Sequence, residues 1–274
     1  MNPELATKLQ NIDRRIIYAV LFITLAIPML KPLGLPVNIT SWTKAAYETI
    51  DAIPSGKVVL FTASFGPSQA AENQPMGIAV MTHLIRKKVK VVLDPTGAEA
   101  LPYMMVYANM CKAAGYKEGE DYIVLSYLAG EESVFAAIGK DIKSLYASQP
   151  KSPLWDSIKD VTDFALMLDS SGGPSNRYAL AHIGGPKKVK IIALIVGNLL
   201  TVLQPYYSAG QLAGIISALS GAAEYETLAK APGAALSGMD AQSLGHLWVI
   251  FLIVVGNIAY YSSKKTGTRG GASR

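Results

Sequence analysis

Two long apolar runs, one near each end, constrain this chain more than any other feature. From Ile16 to Val37 it reads IIYAVLFITLAIPMLKPLGLPV, with Lys31 its only formal charge. From Ala241 to Ser263 it reads AQSLGHLWVIFLIVVGNIAYYSS, with no Asp, Glu, Lys or Arg. A helix rises about 1.5 Å per residue, so either run is long enough for a hydrocarbon core of about 30 Å. Soluble helices of this length keep a polar face, and these runs have none. Trp248, Tyr260 and Tyr261 mark the ends of the second run as interfacial aromatics do. Composition agrees: 16% of the residues are charged, against about 25% in an average soluble domain.

Lys8, Arg14 and Arg15 precede the first run, as in a signal peptide, but the run is too long and lacks a small-residue cleavage site, so an uncleaved anchor is expected. Lys264, Lys265, Arg269 and Arg274 follow the second run, whereas the facing flanks hold Lys31, Lys44 and Lys230. The positive-inside rule then places both termini in the cytoplasm and the middle of the protein outside it. The expected organisation is a cytoplasmic N-terminus (1–15), a first span (16–37), an extracytoplasmic domain (38–240), a second span (241–263) and a basic tail (264–274). One cysteine, Cys111, excludes an intramolecular disulfide framework.

The middle alternates. Lys57–Ala63, Val89–Leu93, Tyr122–Leu125, Phe164–Leu168 and Val189–Gly197 are short apolar runs without strict period-two polarity, as strands buried on both faces show. Helical stretches separate them: Ser41–Ile53 with Ser41 as its cap, Ala70–Arg86, Leu101–Ala114, Glu132–Tyr146 and Ser208–Lys230. Strand and helix in alternation predict a doubly wound, mostly parallel, three-layer α/β domain of Rossmann-like type, inserted between the two spans.

In such sheets ligands bind beyond the carboxyl ends of the strands. The residues expected there are small and polar, and Ser64, Asp94, Ser126, Asp169, Ser171 and Asn198 are the candidate ligand contacts. Turns demand the same residue types, so a set of plain loops is the competing account. Recognisable catalytic signatures are missing. SFGPSQ and DSSGGPSNR have neither the spacing nor the lysine of a phosphate loop, G-x-G-x-x-G does not follow the first strand, and G-x-S-x-G is absent. No catalytic residue, cofactor or metal site is assigned, and no basic stripe with interleaved aromatics suggests nucleic acid. His83 is expected on a partly exposed helix surface, and His182 is placed to pair with Asp169 or Ser171. Glu224 and Glu226 form a further carboxylate pair.

Gln204–Glu226 (QPYYSAGQLAGIISALSGAAEYE) is the most distinctive segment. Read as one helix it has a nearly side-chain-free face, and small residues at that spacing favour close helix packing. Tyr207, Gly210, Gln211, Gly214, Ser217 and Gly221 are the candidate oligomer interface. This segment, with IDRRIIY at the first run and LFTASFGPSQAAENQPM, resembles a family of prokaryotic two-span membrane proteins of uncharacterised activity. The resemblance implies architecture alone. The expected function is therefore a self-associating scaffold or assembly component at the outer face of the membrane, with the bilayer, further copies of the same protein and other membrane proteins as partners. The alternative is a small-molecule-binding or hydrolytic domain that uses the strand-end rim.

Overall fold

The computed structural model describes residues 13–269, and side chains up to residue 262. Lys8 and Arg274 lie outside the described residues, as do the side chains of Lys264, Lys265 and Arg269. The protein divides into two units, Pro36–Leu236 and the pair of segments Met1–Leu35 and Ser237–Arg274.

The Pro36–Leu236 unit is an α/β domain around one six-stranded sheet. After α2 (Ser41–Asp51) come β1 (Val58–Ser64), α3 (Pro67–Arg86), β2 (Lys90–Pro95), α4 (Leu101–Ala113), β3 (Tyr122–Val124) and α5 (Glu132–Leu145). The second half holds α6 (Pro153–Ser157), β4 (Leu166–Ser171), α7 (Ser175–Ala179), β5 (Ile191–Ile195), α8 (Leu200–Ser208), β6 (Gly214–Ser217) and α9 (Ala218–Leu228). The strand order is β3-β2-β1-β4-β5-β6 and every pairing is parallel. That is the Rossmann order, with its switch point between β1 and β4. Val59, Leu60, Phe61, Val91, Val92, Leu93, Leu166, Met167 and Leu168 have no exposed surface, which is why these strands show no polar alternation.

Five of the six strands coincide with apolar runs, and the sixth does not. β6 lies inside the stretch predicted as the single helix Ser208–Lys230, which the structure divides into the end of α8, a turn, β6 and α9. Gly210 turns the backbone at φ +71°. Gly214 lets β6 lie against α2, since a Cβ there would stand 2.5 Å from the Ala46 backbone. The predicted bare helix face therefore does not exist. Gly214, Ser217 and Gly221 are buried inside the domain, while Gly210 and Gln211 are exposed on the turn and Tyr207 is half-buried on α8. Two element boundaries also differ from expectation. Asp169–Ser171 belong to β4 itself, and Ser41 is the first residue of α2, with Thr40 at the cap position.

The other unit holds α1 (Arg14–Leu30), a helix of 17 residues that contains Pro28, and the part of the 36-residue α10 (Ala234–Arg269) from Ser237 onward; the first turn of α10 belongs to the domain. Among the described residues, one helix is long and apolar enough to cross a membrane: the Ala234–Ser262 part of α10, with a mean hydropathy of 1.8. The expected first span, 16–37, is not one helix. It leaves helical geometry at Lys31, and residues 32–40 have no regular secondary structure. Seventeen residues rise about 26 Å, so α1 alone is short for a core of about 30 Å. Asp240 accepts hydrogen bonds from the backbone N–H groups of Leu33 (2.7 Å), Gly34 (3.0 Å) and Leu35 (3.2 Å). A Cβ on Gly245 would lie 3.0 Å from Leu25 Cδ2, so α1 and α10 pack closely at that glycine. Phe22, Leu30, Leu247 and Ile253 turn more than half of their surface outward.

Candidate functional site

Parallel register places three polar residues side by side near the carboxyl end of the sheet. Thr62 of β1 is the partner of Asp94 on β2 and of Asp169 on β4, and all three are fully buried. Register partners on neighbouring strands share a face. Asp169 is well satisfied: its Oδ1 accepts from the Thr62 hydroxyl at 2.6 Å, and its Oδ2 from the Ser175 hydroxyl at 2.8 Å and Asn176 Nδ2 at 2.6 Å. Asp94 has less support. Its Oδ1 accepts from the Tyr146 hydroxyl at 2.8 Å, and its Oδ2 has no partner.

Burial away from water penalises the charged form of both carboxyls. Desolvation pushes Asp94 up to about 7, with the Tyr146 hydrogen bond opposing it and Asp169 adding repulsion. Asp169 is pushed up to about 6 by desolvation, against the hydrogen bonds from Thr62 and Ser175. This polar bar is sealed inside the sheet, so it stiffens the floor beneath the rim instead of facing solvent.

Above the bar, Ser64 and Ser171 are register partners at the ends of β1 and β4. Ser171 is buried, and its hydroxyl accepts from the Gly173 N–H (2.9 Å) and donates to the Gly173 carbonyl oxygen (3.0 Å), closing the turn after β4. Gln69 packs over Gly172, where a Cβ would meet its Cγ and Cδ, and its Oε1 accepts from the Gly66 N–H at 3.0 Å. Pro67 starts α3 without a donor N–H, and the Glu99 carboxylate crowds Gly66. Gln69 and the Glu99 carboxylate therefore crowd the start of α3 at the switch point, which does not suit a pyrophosphate at that helix start.

The open part of the rim lies one strand further on. A cavity of about 310 Å³ is lined by Gly173, Pro174, Asn176, Arg177, Leu199, Val202 and Leu203. The Asn176 amide Nδ2 donates to the Asp169 carboxylate and to the Asp169 backbone carbonyl (2.9 Å), which fixes the amide's orientation. Its Oδ1 is buried without a hydrogen-bond donor, a costly state for a buried carbonyl.

Of the six predicted rim residues, Asp94 and Asp169 come together through Thr62, and Ser64 and Ser171 meet above them. Ser126 and Asn198 are exposed and belong to opposite sides of this group, beyond β3 and β5. Four strand spacings separate those two strands, about 19 Å, too far for one small ligand. His182 pairs with neither Asp169 nor Ser171: its Nε2 lies 3.0 Å from Glu132 Oε1. His83 is not on the surface. It is 3% exposed, stacks on Tyr47, and lies between the Tyr225 hydroxyl (Nδ1, 2.8 Å) and Asp51 Oδ1 (Nε2, 3.2 Å). Burial lowers its pKa, ahead of the raising effect of Asp51. Glu224 and Glu226 do not act as a pair, because each accepts from a different segment. Thr62, Tyr146, Ser175 and Asn176 are not among the predicted contacts. Only the DSSGGPSN run, a turn leading directly into a helix, signals the last two.

Among the described residues no group of three or more His, Cys, Asp or Glu side chains is placed to hold a metal ion. No family model matches the protein, and no curated protein matches it. Several solved structures overlap it weakly. The C-terminal domain of a group 1 family glycosyl transferase (LpcC) from Francisella tularensis is 13% identical and has a TM-score of 0.33; the overlap covers 78% of the present sequence and 94% of that domain. A mycobacterial quinone oxidoreductase is 16% identical, with 80% and 51% covered and a TM-score of 0.29. AibC is 15% identical, with 79% and 54% covered and a TM-score of 0.30. Overlaps this small say nothing about activity or ligand.

Proposed function

We propose that this protein is a membrane-anchored binding domain, which takes a small polar ligand at the rim beside β4 and β5. The observation that carries the reading is the Asn176 amide. It is locked by Asp169, and its carbonyl lacks a donor in a residue that lines a 310 Å³ cavity. A cavity of that size suits a small molecule. A ligand N–H or O–H would satisfy Oδ1, Leu199, Val202 and Leu203 would cover its apolar part, and Arg177 would favour a negative or strongly polar group.

The anchor is α10 together with α1. Their outward apolar side chains fit lipid, and the Asp240 carboxylate joins the segment after α1 to α10. With Arg14 and Arg15 at the start of α1 and the Lys264–Lys265 pair near the end of α10, the reading is two crossings with both termini cytoplasmic, the 17 residues of α1 lying at the short end of the spanning range. Self-association retains only Tyr207, Gly210 and Gln211, the part of the predicted interface that is not buried in the domain.

Native mass spectrometry of the full-length protein, released from lipid particles, tests the binding reading and counts copies in the same spectrum. The expected result is a retained small molecule that disappears in Val202→Trp, which fills the cavity from an exposed position. If no molecule is retained, and none from a metabolite library raises the Tm of the wild type but not of that variant, the reading is wrong.

A further inference from the structure

A second and larger concavity lies on α7 and the segment that follows it. It is a groove of about 1000 Å³, with Arg177, Lys188, Lys190, Glu132, Tyr178 and Tyr206 among its lining residues. We infer that this groove is a binding site for a multiply charged, phosphate-type anion, separate from the rim cavity although Arg177 lines both.

Charge is the first reason. Arg177, Lys188 and Lys190 are exposed and form no ion pair among the described residues, whereas neighbouring Lys187 is held by Asp160 at 3.0 Å. The one carboxylate of the lining, Glu132, faces His182 at 3.0 Å. Three unpaired cations on concave walls create a positive potential that water screens less than on a convex surface. Arginine engages phosphate oxygens through its planar fork and lysine as a mobile point charge, so the set suits an anion with several oxygens better than a single carboxylate.

Backbone form is the second reason. Leu180, Ala181 and Gly184 line the groove, and they belong to a π-helical segment, Leu180–Gly184. Such segments are rare, less stable than α-helix, and recur at functional sites. This one is held by close packing, since a Cβ on Gly139 of α5 would collide with the His182 carbonyl. Lys188 then adopts φ +58°, the left-handed region that non-glycine residues seldom occupy. Tyr178 and Tyr206 add hydroxyls that donate to phosphate oxygens.

The anion can come from a soluble phosphorylated molecule or from a phospholipid headgroup, and one experiment separates the two. Amide hydrogen exchange is followed on the full-length protein in phosphatidylcholine nanodiscs, with inorganic pyrophosphate added at low ionic strength. The same measurement is made in nanodiscs containing phosphatidylglycerol. Protection over residues 178–190 and 206–213 with pyrophosphate assigns a soluble ligand. Protection only with phosphatidylglycerol assigns a headgroup. In either case K188Q/K190Q should weaken the effect at least tenfold. The inference is overturned if neither anion protects these segments, or if the double variant responds like the wild type with unchanged exchange elsewhere.

Discussion

Glu224 and Glu226, two positions apart on α9, fasten the two linkers of the domain. Glu224 Oε2 accepts from the N–H (2.9 Å) and hydroxyl (2.6 Å) of Thr40, at the start of α2. Glu226 accepts from the N–H groups of Gly233 (3.0 Å), Ala235 (3.1 Å) and Leu236 (2.9 Å), at the start of α10. Between them Tyr225 reaches His83 on α3. Side chains two apart on a helix diverge, so one short segment holds three directions at once. Both carboxylates are almost completely buried.

Removing Glu226 should therefore cost more than removing an ordinary surface carboxylate. Glu226→Ala takes the carboxylate acceptor from three N–H groups, and a destabilisation of about 2–4 kcal/mol is expected. Glu226→Gln keeps an acceptor and should lose about half of that. Glu224→Ala, which removes the acceptor of two donors, should cost about 1–3 kcal/mol. Urea denaturation of the Pro36–Leu236 unit within the full-length protein measures all three.

Gly214→Ala separates internal packing from self-association. A Cβ there meets Ala46 backbone atoms, which cannot move like a side-chain end, so a loss of about 1–3 kcal/mol is expected, with copy number unchanged. Gly210→Ala meets nothing within 4 Å, and its penalty of about 1 kcal/mol comes from φ +71° alone. A change in oligomer size with either variant at unchanged stability would return this segment to an interface.

The fate of that segment shows what local sequence makes legible. β1, β2, β4 and β5 each hold three or more consecutive apolar residues buried on both faces, which makes them visible as apolar runs. β6 has four residues, GIIS, between glycine- and alanine-rich flanks, and helical spacing of small residues hides it. Asp94 and Asp169 are visible as strand-end acids. Their convergence depends on strand order, through Thr62 on the strand between them, and no local pattern encodes that order. Asn176 is hidden for a related reason: its significance comes from Asp169 locking its amide, a tertiary fact. The histidines mislead because burial and partners decide their role. His83 has its partners on α2 and α9, far away in sequence.

Lysine in the middle of α10 tests the anchor. Ile253 and Val254 are each at least half exposed among apolar neighbours, and a charged residue at the centre of a spanning helix costs about 2.5–3.5 kcal/mol. Val254→Lys should move a measurable fraction of the protein into the soluble fraction on alkaline extraction, whereas Asn257→Lys, nearer the end, should have a weaker effect. Equal extraction of wild type and V254K would remove α10 as a membrane span.

The buried carboxyls set the response to pH. An unfolded aspartate ionises near pH 4, whereas folded Asp94 holds its proton to about 7 and Asp169 to about 6. Folded values above unfolded ones mean that the stability contributed by these carboxyls is complete below about pH 4. It then falls as pH rises, because the unfolded state releases protons that the folded state retains. The slope is about 1.4 kcal/mol per pH unit for each carboxyl, and it flattens once each folded group ionises. These two carboxyls therefore favour the folded state more at pH 5 than at pH 8, whereas buried His83, whose folded pKa lies below its ordinary value, acts in the opposite sense on the acid side of about pH 6.5. Asp94→Asn keeps an acceptor for the Tyr146 hydroxyl, removes the ionisation, and should flatten the part of the curve between about pH 6 and 7. Urea midpoints of wild type and variant across pH 4.5–8.5 decide it: parallel curves would mean that Asp94 ionises no differently in the folded and unfolded states.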